Sequence, residues 1–125
     1  MKVNLSDAEW KLMNLLWKES PRTIMELTAA VREDTGWSKN TVITMLSRLE
    51  AKGDVGHEEG GRAKQYFPLI PQEDAVQAET RSFLDKVYGG SLGLMMSAMV
   101  ESQALSEADI AELSAILEKA GGDRT

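Results

Sequence analysis

The chain has no cysteine, one histidine and three prolines, and only 6% of its 125 residues are aromatic. Without cysteine there is no disulfide framework and no thiolate metal site. That usage fits a reducing compartment, and a cytoplasmic location is expected. The single histidine, His57, has no cysteine beside it and does not assemble a transition-metal site. Nor does it leave a Ser/His/Asp or Cys/His constellation for nucleophilic catalysis. No apolar run of about twenty residues occurs, so no membrane-spanning helix is expected. The first residues show no basic stretch followed by an apolar one, so no secretory signal is expected. The glycine pairs Gly60-Gly61 and Gly89-Gly90 lack the strand–loop–helix context of a phosphate cradle. The expectation is therefore no enzyme, no cofactor and no metal.

Positive charge is also scarce, with a formal net charge of −6. The deficit is uneven. Residues 1–70 hold ten Lys/Arg and ten Asp/Glu, whereas residues 71–125 hold four and ten. Only the first segment can approach a polyanion without severe repulsion. Within it Lys39, Arg48, Lys52, Arg62 and Lys64 form a candidate patch, thinned by Glu50, Asp54, Glu58 and Glu59. Any DNA affinity built on so modest a patch should be strongly salt-sensitive.

What is present is a series of well-marked helices. In Leu5-Ser6-Asp7-Ala8-Glu9-Trp10, Ser6 and Glu9 make a capping box, and Leu5 with Trp10 makes a hydrophobic staple. Trp10, Met13, Leu16 and Trp17 follow as a stripe expected in the core. Ser20-Pro21 breaks the pattern. Thr23 and Glu26 form a second capping box, and Ile24, Leu27, Ala30 and Val31 are expected to face inward on a helix ending near Gly36.

A short loop then leads into Trp37–Gly53, the stretch around which the first segment is organised. Ser38 suits the N-cap, Trp37 and Val42 suit a staple, and Gly53 suits the left-handed position after the helix. Val42, Met45, Leu46 and Leu49 share one face. The opposite face carries Asn40, Thr44, Ser47 and Ala51, with Thr41, Ile43 and Arg48 on its flanks. A solvent-facing helix usually carries long charged side chains. This face instead carries hydroxyls, an amide and a β-branched carbon, which can lie close against base edges. An amphipathic helix with an unremarkable outer side would look the same in isolation.

Two helices joined by a tight glycine-containing turn make a helix-turn-helix, whose second member would be the recognition helix. Next, Asp54–Leu69 reads as a β-hairpin with a glycine-rich tip carrying Arg62, in the place of a wing. Arg62 and Lys64 can reach phosphate from there. Pro68 and Pro71 bracket a boundary, dividing the chain into a winged-helix domain at 1–70 and a helical domain at 71–125.

In the second domain, Gln72–Tyr88 is expected to be helical, with a sparse stripe of Val76, Phe83, Leu84 and Val87, ended by Gly89-Gly90. Leu92, Leu94, Met95, Met96, Met99 and Val100 form a nearly continuous apolar run. Leu105-Ser106-Glu107-Ala108-Asp109-Ile110 repeats the staple-and-cap pattern. Ile110, Leu113, Ile116 and Leu117 make the last stripe, closed by Gly121-Gly122, and the tail from Asp123 is expected to fray. Three helices in about fifty residues bury such a surface poorly alone. Phe83, Leu84, Val87, Leu92, Met95, Met96, Met99, Ile110, Leu113, Ile116 and Leu117 are therefore expected to complete a core with a second copy, as a two-fold dimer. The fold class expected is mainly α with a small β-hairpin: an N-terminal winged helix-turn-helix and a C-terminal helical dimerisation domain.

The segments L-S-D-A-E-W-K-L-M-N-L-L-W, W-S-K-N-T-V-I-T-M-L-S-R-L-E-A-K-G, G-R-A-K-Q-Y-F-P, F-L-D-K-V-Y-G-G-S and L-S-E-A-D-I-A-E-L occur in that order. Together they resemble the penicillinase-repressor family, the BlaI/MecI/CopY type, over almost the whole chain. The resemblance implies a homodimeric winged-helix repressor of operators with dyad symmetry. Such repressors are relieved by a signal, a protease or an inducer, acting on the C-terminal domain. It implies base contacts from Asn40, Thr41, Ile43 and Thr44, with Thr41 and Thr44 matching the T-V-x-T pattern, and a wing contact from Arg62. Ser47 on the same face is a further candidate for base contact, and Ser38, Lys39, Arg48 and Lys64 for phosphate. Ile43 stands where some members carry arginine, which favours contact with a thymine methyl.

Two features depart from the family pattern. Copper-responsive members carry a C-terminal cysteine cluster, absent here. Antibiotic-responsive members are cleaved at an Asn–Phe bond, and here Ala98-Met99 stands at about that place. Two other readings remain beside repression. One is a winged-helix module for protein–protein contact with an acidic C-terminal docking surface, which the net charge favours. The other, compatible with repression, is a ligand sensor with an apolar pocket among Met95, Met96 and Met99.

Overall fold

The structure is a computed structural model that describes residues 3–122. Six helices and one hairpin follow in the order α1 (Asp7–Lys18), α2 (Ile24–Thr35), α3 (Lys39–Ala51), β1 (Val55–Gly60), β2 (Ala63–Pro68), α4 (Gln72–Tyr88), α5 (Leu92–Glu101) and α6 (Glu107–Gly122). The chain forms two compact units, Met1–Glu79 and Thr80–Thr125. The expected boundary at residue 70 falls in the loop before α4, while the units divide inside that helix. The reason is local: Ile70, just before α4, and Ala75, in its first turn, are both buried in the core of the first unit. The tail from Asp123 lies outside the described residues.

The helix starts are set by side-chain oxygens. Both expected capping boxes form. Ser6 Oγ accepts from Glu9 N at 3.2 Å while Ser6 N donates to Glu9 Oε1 at 2.9 Å, and Thr23 and Glu26 repeat the exchange. Ser38 caps α3 by accepting from Thr41 N. Gly36 ends α2 at φ +69°, and Gly53 follows α3 at φ +82°, a region L-residues enter at a cost. At the start of α6 the cap is again reciprocal, between Ser106 and Asp109. Those bonds from the Ser106 backbone and hydroxyl hold the Asp109 carboxyl below its usual range.

In the first unit Leu12, Met13 and Leu16 of α1 pack with Leu27 and Val31 of α2 and Val42, Leu46 and Leu49 of α3. Val55 and Tyr66 close this core from the hairpin. Three expectations change here. Trp10 and Trp17 sit at the rim, only partly buried, edge to face with ring centres 5.7 Å apart. Leu12 takes the central place instead. An indole needs a partner for its N–H, and Trp17 Nε1 finds one in the Ile70 carbonyl at 2.9 Å. On α2, Ala30 is exposed and Thr28 is buried in its stead, its hydroxyl satisfied by the Ile24 carbonyl at 2.7 Å.

The hairpin is antiparallel, with Val55 opposite Pro68, His57 opposite Tyr66 and Gly60 opposite Ala63. Gly61 and Arg62 form a two-residue tip, and Gly61 takes a positive φ of +72°. A single-residue bridge extends the ladder: Arg22 N donates to Tyr66 O at 3.0 Å, and Tyr66 N to Arg22 O at 2.8 Å. The bridge ties β2 to the residues that enter α2.

The second unit is different in kind. Among the described residues 80–122 no side chain is buried. Phe83 and Tyr88 meet edge to face at 6.1 Å, and Gly89 and Gly90, both at positive φ, end α4. Phe83, Val87, Leu92, Leu94, Val100, Ile110, Ile116 and Leu117 are all exposed. Leu84, Met95, Met96, Met99 and Leu113 are half-buried, and Ala98 and Met99 lie within α5. No described helix is long and apolar enough to cross a membrane.

Candidate nucleic-acid interface

The candidate interface is built on α3. Its inner face supplies three fully buried side chains, Val42, Leu46 and Leu49, which fix the helix's rotation about its own axis. The side chains opposite must then face out. Asn40, Thr44 and Ser47 are exposed, as are Ser38, Lys39 and Arg48, while Thr41 and Ile43 are half-exposed. Arg62 and Lys64 are exposed at and beside the hairpin tip. All the expected contact residues thus reach the surface of one unit.

The hydroxyls are not all free. Thr44 Oγ1 donates to the Asn40 carbonyl at 3.0 Å, and Ser38 Oγ lies 3.2 Å from Thr41 Oγ1. These bonds hold the short side chains against the helix and leave lone pairs and methyl groups pointing outward.

The charge pattern departs from the sequence expectation at one cation. Lys52 is drawn away from the basic patch. Its ammonium donates to Glu9 Oε1 at 2.8 Å and to the Asn4 carbonyl at 2.6 Å, and lies 3.8 Å from Asp54. Burial pushes the Glu9 carboxyl up, but the bonds from Lys52 and Ser6 outweigh it, and the net effect is downward. Asp54, also buried, is raised, by burial first and by the nearby Glu9 charge. Lys39, Arg48, Arg62 and Lys64 make no ion pair among the described residues, so their charge is available to a partner.

Two features escaped the sequence reading. Glu50, at the edge of α3, meets His57 of β1, with Oε1 and Nδ1 2.9 Å apart. A polar groove of about 300 Å³ also runs between α3 and β2, lined by Ser47, Glu50, Ala51, Lys64 and Tyr66. The α3 residues sit three and four positions apart, which is a helical face. Nothing in the sequence says that the hairpin folds back onto it.

A tight helix pair whose second helix shows a polar, hydroxyl-lined face, followed at once by a hairpin with a basic tip, defines a winged helix-turn-helix chain. Comparison with known proteins narrows the class. The model of the penicillinase repressor family matches residues 5–119, and the chain belongs to that family. A penicillinase repressor of Bacillus licheniformis is 36% identical over 115 residues, covering 92% of this chain and 90% of the relative. The solution structure of the DNA-binding domain of the repressor BlaI superposes with a TM-score of 0.53 at 37% identity, over 59% of this chain and 93% of that one. The Bacillus licheniformis BlaI monomeric form, solved in complex with the blaP half-operator, gives 0.52 at the same identity and coverage. The winged helix-turn-helix expected from the sequence is therefore the fold of the first unit.

Proposed function

We propose that this chain is a sequence-specific, DNA-binding transcriptional repressor that acts in the cytoplasm as a homodimer on a dyad-symmetric operator. The observation that carries the reading is the outer face of α3. It is exposed, short-chained and acid-free along Asn40, Thr44 and Ser47, and it stands beside four cations that make no ion pair among the described residues. Asn40, Thr41, Ile43, Thr44 and Ser47 read base edges from the major groove. Ser38, Lys39, Arg48, Arg62 and Lys64 hold phosphates and set the register. Residues 1–70 do this work, and residues 71–125 pair two chains.

Two observations support pairing. The unburied apolar side chains of the second unit are what a half-formed core leaves behind. The BlaI relative was solved as a monomer on a half-operator, which fits one chain per half-site. No catalytic step is part of the reading. Relief of repression acts through the second unit, by a ligand or by cleavage at a bond other than Asn–Phe.

Selection of bound DNA from a random pool tests the function directly. The expected product is two copies of one half-site in inverted orientation, about one or more helical turns apart. Retardation of that DNA should weaken steeply between low and moderate salt. The net charge of −6 favours one competitor, a winged-helix module that docks proteins through its acidic second unit. Absence of DNA binding at low salt would select that competitor.

A further inference from the structure

The groove between α3 and the hairpin holds a contradiction for a surface that meets phosphate. Ser47 and Lys64, two of the proposed DNA contacts, line its walls, but Glu50 lines it as well. A nucleic-acid strand passing between helix and wing would run over a carboxylate. Among the described residues the neighbour bonded to that carboxylate is His57, through Nδ1 at 2.9 Å. An ionised carboxylate only accepts, so Nδ1 is the donor. The donor can be a neutral imidazole or an imidazolium. With the first the pair carries one negative charge into the groove, and with the second it carries none.

We propose that His57 is a positioning residue for DNA binding: it braces the wing against α3 through Glu50, and the imidazolium form masks the Glu50 charge when a phosphate strand enters the groove. The inference rests on the DNA-binding reading above. It follows that binding takes up a proton at His57 in each chain. A polyanion favours the charged form of any histidine beside it, and here the same proton also removes a repulsion.

The surroundings are sparse enough to make the linkage specific. From α3 the imidazole faces Glu50. Across the ladder it faces the Tyr66 ring, with centres 5.5 Å apart. Alternation along the strands puts Glu59 and Lys64 on the same hairpin face, opposite each other. Burial raises the Tyr66 phenol, and the Glu50 charge raises it further, so this ring stays neutral and does not compete for the proton at neutral pH. His57 is the sole histidine and there is no cysteine, so the N-terminal amine is the only other group that ordinarily titrates near neutrality.

The test uses the full-length protein and a mixed-sequence DNA duplex long enough to seat two chains, since the claim concerns phosphate and not bases. Affinity of the native protein should rise as pH falls from about 8 to about 6, by up to about tenfold per chain for a one-unit change in proton affinity. His57→Gln keeps a hydrogen-bond donor but cannot charge. It should lose that slope and bind more weakly than the native protein at the acid end. Glu50→Gln should bind more tightly than the native protein at the alkaline end and show a shallower slope. Both variants keep the N-terminal amine, so its contribution cancels in the comparison.

A second measurement needs no variant. The single imidazole Hε1 resonance should titrate at higher pH with the duplex bound than without it. A native slope retained in His57→Gln, or a resonance that titrates alike in both states, overturns the proposal and leaves the repressor reading standing. Failure of the native protein to bind this duplex at any of these pH values in low salt overturns the proposal, and failure to bind the selected operator as well overturns the repressor reading too.

Discussion

Thr44 and Asn40, two of the proposed base contacts, show how much the backbone decides what a short side chain offers. The Thr44 hydroxyl proton is committed to the Asn40 carbonyl one turn back. What Thr44 presents outward is an acceptor lone pair and a methyl group. It therefore suits the exocyclic amine of cytosine or adenine, or the methyl of thymine, and not a bare acceptor. Asn40 keeps both halves of its amide and suits adenine. Arg62, at the hairpin tip, is the proposed phosphate contact, and in that role it carries no sequence information. Asn40→Ala and Thr44→Ala should each cost about 1–3 kcal/mol against the preferred base and flatten discrimination at that position. Arg62→Ala should weaken binding to all sequences alike and reduce the salt slope by about one. Titrations of matched and mismatched duplexes at two salt concentrations check both. Three variants that still prefer one operator as the native protein does would contradict the assignment. That Asn40 and Thr44 face outward was legible because a helix with two marked ends and four apolar residues at helical spacing has only one face left to expose.

At the scale of elements, the placement of α3 depends on a tie that the sequence hides. Lys52 follows the last turn of α3 and reaches Glu9 at the start of α1, which also closes its own capping box. One carboxylate thus serves a local purpose and a distant one. Glu9 is held below its usual value, so its contribution to stability is present above the unfolded-state value near 4.5 and is lost as pH falls through the lower folded-state value. Asp54 has the opposite sign. Its raised value means that ionisation costs stability as pH rises through its range, and it cannot account for acid unfolding. Glu9→Gln should therefore be less stable than the native protein at neutral pH, and the gap should close below about pH 4.5. Urea unfolding across pH 3 to 7 measures it, and a gap that stays constant down to pH 3 would refute the tie. The capping boxes at Ser6 and Thr23 were readable because partners three residues apart meet whenever a helix starts there. The demand of Lys52 was not readable, and on composition alone it belonged with the basic patch.

For the whole molecule, the contrast between the units is the main fact. The first unit buries its apolar side chains completely at Leu12, Leu16, Leu27, Val42, Leu46 and Leu49. The second buries none among the described residues, and Leu117 remains 65% exposed. A chain of 13.8 kDa is expected to sediment at twice its mass, with the second unit supplying the contact. Leu117→Asp, or Phe83→Asp, should yield a monomer whose first unit keeps its fold. Such a monomer should bind a full operator more weakly than the native protein, because the second half-site no longer adds to the first. Sedimentation of the native protein as a lone monomer at micromolar concentration would refute the assembly.

The sequence alone determined where the capped helices begin, which side of α3 is shown, that a glycine-tipped hairpin follows it, and that the second half has more apolar surface than it can cover; it misplaced the end of α6, which runs through Gly121 and Gly122 instead of closing before them. Each of these is local: a cap, a left-handed glycine or a repeat of three and four is decided within a turn or two of chain. Tertiary structure decided the pairings of long and titratable side chains. Lys52 meets Glu9 across 43 residues, and Trp17 meets Ile70 across 53. Glu50 finds His57 only once the hairpin folds back, and the Arg22 backbone extends a ladder that no strand pattern announced. A flexible side chain has many possible partners along a sequence, and packing of the backbone elements brings one of them within 3 Å.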